Sequence, residues 1–198
     1  MKTLLFVDCC IRGDHSRTRK LGEKFLSKVP AQWKVQILEL EAEGLNCLSG
    51  AFFQQREELL RMGELNHPRF RYAWQFAQAD VVVFAAPLWD LSFPALLKVY
   101  IENVSEKGIT FDTNKQGCYG ICHAKDMIFL TTRGGFYEGT PMEMGSRYLE
   151  AMAKFFGIPN YTCIAAEGLD MPTTDVEKSM KDAFRKIEAL TAEIFYKD

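Results

Sequence analysis

Short apolar runs recur along the chain at positions that suit buried strands. Residues 4–7, 81–85 and 127–130 are continuously apolar, which is typical of strands covered on both faces of a parallel sheet. Two further segments have a weaker strand pattern. We therefore predict five strands, over residues 3–7, 34–40, 81–86, 127–132 and 161–166.

Amphipathic segments between these runs predict helices that cover the sheet. Apolar positions in 93–104 follow helical spacing, with Ser92 as the predicted N-cap and Pro94 in the first turn. A second stripe runs through 176–194, behind the capping residue Asp175. Strands that alternate with helices predict an α/β, doubly wound parallel sheet. The remaining predicted helices cover 17–28, 69–78 and 143–156.

Two stretches interrupt this alternation. Residues 44–66 have the pattern of a loop plus a short helix, and residues 108–124 are rich in Gly, Asn, Lys and aromatic side chains. Long excursions in a compact domain are usually functional or form interfaces. With no linker or repeat in the sequence, we expect one domain over 1–198 that carries an excursion at 108–124.

Composition narrows the possible partners and the compartment. The chain has 24 basic and 26 acidic residues and a net charge of -2, so it lacks the positive charge expected for binding nucleic acid or an anionic membrane. A small-molecule partner is therefore expected. The apolar run near the N-terminus ends at Asp8, too short for a signal peptide or a membrane span. Six cysteines without a signal peptide indicate reduced thiols and a cytoplasmic protein.

The strand order predicts where a ligand would bind. In an open α/β sheet with order 2-1-3-4-5, ligands lie beyond the carboxyl ends of the strands, between strands one and three. The loops that matter most are therefore 8–18, 87–92 and 133–140.

The first of these loops has features of a phosphate site. It leads into a helix whose free N–H groups and positive dipole end attract anions, and Ser16 and Thr18 add hydroxyls while Arg12 and Arg17 add charge. An ordinary capped helix start with solvated arginines explains the same residues equally well. The loop has neither GxGxxG nor GxxxxGK spacing, which argues against dinucleotide and Walker-type sites.

The other two loops offer an apolar surface and close backbone approach. Trp89 follows a buried strand, where an aromatic ring system could pack, although such residues are common in cores and interfaces as well. Gly134 and Gly135 allow the backbone to approach a ligand. An ordinary strand-to-helix turn would also account for the two glycines.

Taken together, the motifs of the chain resemble those of the FMN-dependent NADH:quinone reductase and azoreductase family over almost the whole length. The phosphate clamp of that family resembles residues 16–18, and its flavin-edge motif resembles 85–91. Four more short motifs are similar, at 94–98, 108–111, 131–135 and 166–168.

The resemblance implies a flavodoxin-like, three-layer fold with FMN bound by the three loops. It implies FMN contacts from Cys9, Ser16, Arg17, Thr18, Pro87, Leu88, Trp89, Asp90, Leu91, Thr132, Arg133, Gly134 and Gly135. The family is typically homodimeric, with aromatic side chains of the partner subunit covering each site. This gives Phe111, Phe136 and Phe155 as substrate-binding candidates, although Phe111 and Phe155 also fit a core position.

The activity that the resemblance implies is a two-electron, ping-pong cycle. NADH or NADPH reduces bound FMN, and a quinone, nitro or azo compound then takes the electrons. The cofactor carries the chemistry, so no side chain is assigned as catalytic and no metal is expected. The alternative is an electron carrier or flavin-binding redox sensor, and a flavin-free hydrolase or binding module is a third reading.

Two positions depart from the family pattern. Asp90 stands where the family usually has Asn; a carboxylate near the ring disfavours negative charge on the reduced flavin, which predicts a lowered potential. Cys9 and Cys10 stand where Ser-Ser is common, so the phosphate would depend more on hydroxyls and amides. An oxidisable thiol there is the less common outcome. The Cys and His residues within 118–123 are too few to indicate a metal site.

Overall fold

A computed structural model describes residues 1–196 of the chain, so residues 197 and 198, the end of the expected domain, lie outside it. The strands are β1 (Thr3–Asp8), β2 (Lys34–Glu39), β3 (Val81–Ala85), β4 (Phe111–Asn114), β5 (Gly117–Gly120), β6 (Asp126–Thr132) and β7 (Asn160–Ala166). The α-helices are α1 (Arg17–Leu26), α2 (Gly50–Met62), α3 (Arg71–Ala77), α4 (Ala95–Val104), α5 (Gly145–Phe155) and α6 (Val176–Tyr196).

The main sheet has the predicted doubly wound arrangement. Five parallel strands lie in the order β2-β1-β3-β6-β7. The five predicted strands correspond to these five, because β4 and β5 form a separate antiparallel pair. The flavodoxin-like order 2-1-3-4-5 is therefore confirmed. The order in which strands are added to the sheet reverses between β1 and β3, as the prediction requires.

Alternation along the strands builds a core on each face of the sheet. In β1, Leu5 and Val7 pack on the side of α3, α4 and α5, whereas Leu4 and Phe6 pack on the side of α1 and α6. Successive side chains of a strand point to opposite faces. A strand buried on both faces must therefore be apolar throughout, which is why the continuous runs identified the central strands correctly.

Helix α4 begins later than predicted. Ser92 exchanges two backbone hydrogen bonds with Trp89, at 3.1 and 2.8 Å, and so belongs to a tight turn. Pro94 occupies the N-cap position, and the helix starts at Ala95. The prediction that Ser92 caps this helix is wrong because the turn already uses its backbone.

Residues 44–66 contain a helix of 13 residues, α2, rather than a short one. Its Leu59 and Leu60 pack against a small separate core that contains Phe70 and Ile109. Helix α2 therefore covers the 3-10 turn Pro68–Phe70 and the start of α3, not the sheet itself.

The excursion at 108–124 forms the hairpin β4–β5, which docks on the end of α5. The backbones meet so closely that a Cβ on Gly120 would lie 1.8 Å from the carbonyl carbon of Phe156. Gly157 has a φ of +77°, a left-handed conformation that favours glycine. Phe111 and Phe155 stack beside this contact with ring centroids 4.8 Å apart. The hairpin is thus held by backbone packing and one aromatic pair.

Residues 1–196 contain neither a membrane-spanning helix nor a cluster of metal-ligating side chains. No helix there is long and apolar enough to cross a bilayer. In the same part of the chain, no group of three His, Cys, Asp or Glu side chains is placed to hold a metal ion.

Candidate functional site

A cleft lies at the carboxyl edge of the sheet, where the strand order reverses. Four loops form its walls, following β1, β3, β6 and β7, and they enclose a volume of about 110 Å³. The lining residues are Arg12, His15, Ser16, Arg17, Pro87, Leu88, Trp89, Thr132, Arg133, Gly134, Leu169 and Asp170.

The wall after β1 is fixed by hydrogen bonds of buried side chains. Asp8 accepts from the Cys10 amide at 2.7 Å and pairs with Arg19 at 3.1 Å, which shapes the start of the loop. Ser16 caps α1 by accepting from the Arg19 amide at 3.3 Å. Buried Thr18 shares a 2.6 Å hydrogen bond with the Thr132 hydroxyl and so ties α1 to the end of β6.

Positive charge collects at the N-terminus of α1. Arg12, His15 and Arg17 are exposed there, and the first turn of α1 contains no acidic residue. Within residues 1–196, Arg12 makes no ion pair, while Arg17 donates from Nη1 to Leu169 O and Asp170 Oδ1, both at 3.0 Å. Cations beside a helix N-terminus oppose its dipole unless an anion offsets them. The wall is thus well suited to an anion.

The wall after β3 is a turn with an unusual backbone. Asp90 and Leu91 have φ values of 48° and 67°, and the Trp89–Ser92 hydrogen bonds close the turn. Two consecutive positive φ angles are typical of a type I′ turn. The turn leaves the Trp89 side chain 42% exposed at the cleft, which provides an apolar surface.

The wall after β6 rests on a buried ionic network. The Arg133 side chain is only 2% exposed and donates to Glu167 at 2.8 Å and Glu143 at 3.0 Å. Burial alone would lower the pKa of Arg133, but its hydrogen bond to Glu167 and the nearby negative charges raise it overall. The Arg133 guanidinium therefore remains charged and holds Glu143 and Glu167 together beneath the loop that follows β6.

The two carboxylates of this network also hold the neighbouring backbone. Glu167 Oε1 accepts from the amides of Tyr137 and Glu138, both at 2.9 Å. Glu143 Oε1 accepts from the Ser146 amide at 2.9 Å, at the start of α5. The network therefore fixes the shape of 133–143 from below.

The wall after β7 lies against the glycines of the preceding loop. Asp170 donates from its amide to Gly134 O at 3.0 Å. A Cβ on Gly134 would lie 2.6 Å from Asp170 Oδ2. Gly134 thus permits the close approach of the two walls, whereas Gly135 packs against the Tyr137 ring.

Many of the sequence-predicted cofactor contacts come together in this cleft. Thr18 lies just beneath it, and Asp90 and Leu91 form the tip of the Trp89 turn. The predicted residues that line the cleft are Ser16, Arg17, Pro87, Leu88, Trp89, Thr132, Arg133 and Gly134.

The Cys9 side chain lies in the core on the α4 side of the sheet, outside the cleft lining. Burial raises the pKa of the Cys9 thiol to about 12. Burial likewise raises the pKa of Cys10, whose thiol lies 3.6 Å from Ala85 O. Both thiols therefore stay protonated at neutral pH and have little nucleophilic character.

The three aromatic candidates are placed outside the cleft of their own chain. Phe111 and Phe155 stack on each other at the hairpin. Phe136 is 61% exposed and lies against Gly168.

Four lining residues were not among the predicted contacts: Arg12, His15, Leu169 and Asp170. The loop after β7 was not considered, although the carboxyl ends of parallel strands share one edge of the sheet. The charge of Arg12 was noted in the first loop, but Arg12 was not carried into the set of predicted contacts.

Comparisons with known proteins agree with this geometry. A family model described as a flavodoxin-like fold matches residues 2–190. An FMN-dependent NADH:quinone oxidoreductase of Clostridium perfringens is 35% identical, covering 96% of this chain and 98% of its own. A protein of the same name from Clostridium beijerinckii is 43% identical, with coverage of 86% and 88%.

Solved structures give the same result. An azoreductase from Bacillus anthracis str. Sterne has a TM-score of 0.88 at 26% identity, covering 98% of this chain and 100% of its own. An FMN-dependent NADH-azoreductase from B. anthracis str. Ames Ancestor, solved in complex with FMN, has a TM-score of 0.86 with the same coverage; at 20% identity it supports the fold alone. The chain therefore belongs to the flavodoxin-like fold family, among the FMN-dependent NADH:quinone oxidoreductases and azoreductases.

Proposed function

We propose that the chain binds FMN in the four-loop cleft and uses NADH or NADPH to reduce small-molecule quinone, azo or nitro acceptors. The observation that carries this proposal is the convergence of an anion-binding wall and an apolar wall at the switch point of the sheet. Relatives named FMN-dependent NADH:quinone oxidoreductases, which align with nearly the whole chain, support the same activity.

The residues of the cleft fit the two ends of FMN. The N-terminus of α1 offers backbone amides, the Arg12 guanidinium and the His15 imidazole to a phosphate. Pro87, Leu88 and Trp89 offer an apolar surface to the ring system. Gly134 lines the cleft between these ends and lets the walls after β6 and β7 approach each other there.

The bound flavin ring would supply the two-electron transfer between nicotinamide and acceptor. The protein would contribute binding and orientation. Thr18 and Thr132 hold the phosphate wall against β6, and the Arg133 network keeps the 133–143 loop in place. Trp89 supplies an apolar surface on one side of the cleft. No side chain of the cleft need donate or accept a proton for this role.

We further propose that the active form is a homodimer. One subunit leaves Trp89 exposed, and the stacked pair of Phe111 and Phe155 is only half-buried at the docked hairpin. A second subunit would bring such aromatic side chains to the open cleft, as the sequence motifs imply.

We also propose that the protein works in the cytoplasm. Its six cysteines are unpaired, as expected for a protein in a reducing compartment.

The role of Asp90 stays a prediction within this proposal. Its carboxylate is exposed at the tip of the turn. If it lies near the ring, Asp90→Asn will raise the flavin potential in a redox titration. An unchanged potential would show that the carboxylate does not influence the ring.

Anaerobic addition of NADH or NADPH to FMN-loaded protein tests the activity. We expect one of the two nucleotides to bleach the visible flavin band and a quinone to restore it. When the concentrations of nucleotide and quinone are both varied, double-reciprocal plots of the initial rate should give parallel lines. A bound flavin that neither nucleotide reduces would contradict the enzyme and favour an electron carrier.

A pair of variants tests the site. Arg12→Gln is expected to weaken FMN binding by about tenfold, the effect of one charge-assisted hydrogen bond. Arg61→Gln is the matched control, because Arg61 is exposed on α2 and pairs with Glu58 at 2.9 Å, outside the cleft. Equal effects of the two substitutions would contradict the placement of the phosphate.

A further inference from the structure

An ion pair spans the mouth of the cleft, between the first turn of α1 and the loop after β7. Arg17 Nη1 lies 3.0 Å from Asp170 Oδ1 and 3.0 Å from Leu169 O. Both side chains belong to the cleft lining: Arg17 lies on the wall of Arg12 and His15, and Asp170 lies on the wall after β7. A carboxylate therefore lies within a site that is otherwise cationic.

Backbone hydrogen bonds place Asp170 beside the cleft. Its amide donates to Gly134 O, and its Oδ2 lies where a Cβ on residue 134 would have to be. The Leu169 amide donates in turn to Arg133 O at 3.0 Å. The loop after β7 thus holds the Asp170 carboxylate at the cleft, and Arg17 reaches across to it.

The pair is easily opened. The Arg17 and Asp170 side chains are 45% and 76% exposed, and exposed ion pairs contribute little because water and salt screen them. A phosphate group carries up to two negative charges and accepts several hydrogen bonds. A phosphate at the N-terminus of α1 would therefore compete effectively with the Asp170 carboxylate for Arg17.

We propose that Asp170 sets the affinity for the phosphate group of FMN by occupying Arg17 when the cleft is empty. This inference rests on the proposed function. In the free protein Asp170 offsets the charge of Arg17 beside the α1 dipole; on FMN binding Arg17 turns to the phosphate and Asp170 is left in water. Asp170 is thus an internal competitor that weakens FMN binding without affecting the ring.

Asp170→Asn tests the proposal by fluorescence titration with two ligands. FMN and riboflavin share the ring and differ in the phosphate, so riboflavin reports a folded, accessible ring site. The variant is expected to bind FMN about two- to fivefold more tightly, the range for one exposed charge pair. Riboflavin affinity is expected to stay unchanged, and the FMN effect to shrink at high salt.

Two further variants control for charge and for mechanism. Asp182→Asn removes the same charge from an exposed ion pair with Lys178 on α6, away from the cleft, and should leave FMN affinity unchanged. In an Arg17→Gln background, most of the effect of Asp170→Asn should disappear, because the two side chains act as a pair.

The outcomes separate this proposal from the proposed function. Suppose that the wild type binds FMN. If Asp170→Asn then changes the affinities for FMN and riboflavin equally, or leaves both unchanged, the proposed competition by Asp170 is overturned, but the proposed FMN site is not. An undiminished effect in the Arg17→Gln background overturns it as well. Absence of FMN binding by the wild type overturns both proposals.

Discussion

Arg133→Met removes the cation at the centre of the buried ionic network and keeps a side chain of similar length. In the wild type, Glu143 and Glu167 meet the guanidinium at 3.0 and 2.8 Å, and the three side chains are 7%, 14% and 2% exposed, respectively. The substitution leaves two partly buried carboxylates without their cation. Breaking a buried pair in this way costs about 3–5 kcal/mol.

That loss is large beside a typical net stability of about 5–15 kcal/mol. For a chain of this length, each kcal/mol lost from the free energy of unfolding lowers Tm by about 2–4 °C, so we predict a fall in Tm of about 6–20 °C. Urea unfolding of the flavin-free protein, at one fixed protein concentration, measures the free energy directly. Arg147→Met is the matched control, since Arg147 is exposed on α5 and should change stability by at most about 0.5 kcal/mol.

The dependence on pH gives a second check. The pKa of Arg133 is raised, so the wild-type guanidinium is charged over the whole accessible range. Acid protonates the two orphaned carboxylates of the variant and removes their charge, so the stability deficit should shrink as pH falls. A deficit below about 1 kcal/mol, or one that does not shrink towards acid, would refute this reasoning.

Three other substitutions or measurements follow from the fold. Gly120→Ala should cost about 1–3 kcal/mol and make the hairpin sensitive to protease, because the new Cβ overlaps the backbone of Phe156. Leu91→Gly should stabilise the flavin-free protein by roughly 1 kcal/mol in thermal melts, since glycine adopts the left-handed conformation without strain. A thiol-reactive dye should label the exposed Cys47 and Cys118 quickly, the half-buried Cys122 and Cys163 slowly, and the buried Cys9 and Cys10 only on unfolding.

Each of these has a contrary result. Thr113→Ala, exposed in the same hairpin, should leave protease resistance intact; equal sensitivity of both variants would mean that the glycine contact does not hold the hairpin. A lower Tm for Leu91→Gly would show that side-chain packing outweighs backbone strain. Rapid labelling of Cys9 would contradict the burial that raises its pKa.

The three central strands of the sheet could be predicted from sequence because strands buried on both faces must be continuously apolar. Helix α2 was underestimated because it packs on a small separate core and contains no fully buried residue. The hairpin was not recognised as two strands, since its docking depends on the backbone contact at Gly120, which leaves no pattern of apolar side chains. The prediction that Ser92 caps α4 was wrong because Ser92 closes a turn that requires a positive φ at Leu91. Such a φ is unusual for leucine and cannot be inferred from the identity of the residue.

The candidate site was only partly predictable. The switch-point rule identified three loops, because the ends of β1, β3 and β6 follow from strand order alone. The partners of Arg133 lie 10 and 34 residues away, and the contact of Arg17 with Asp170 spans 153 residues. Sequence patterns identify elements and the edge at which they meet, whereas the pairing of side chains across that edge depends on the folded geometry.

The central claim is that the four loops at the switch point hold FMN. A crystal structure of the protein grown with FMN tests it most directly. The account predicts density for the phosphate beside Arg12, Ser16 and Arg17, with the ring system against Leu88 and Trp89. FMN bound at another surface, or a cleft that stays empty while the protein binds FMN in solution, would contradict it.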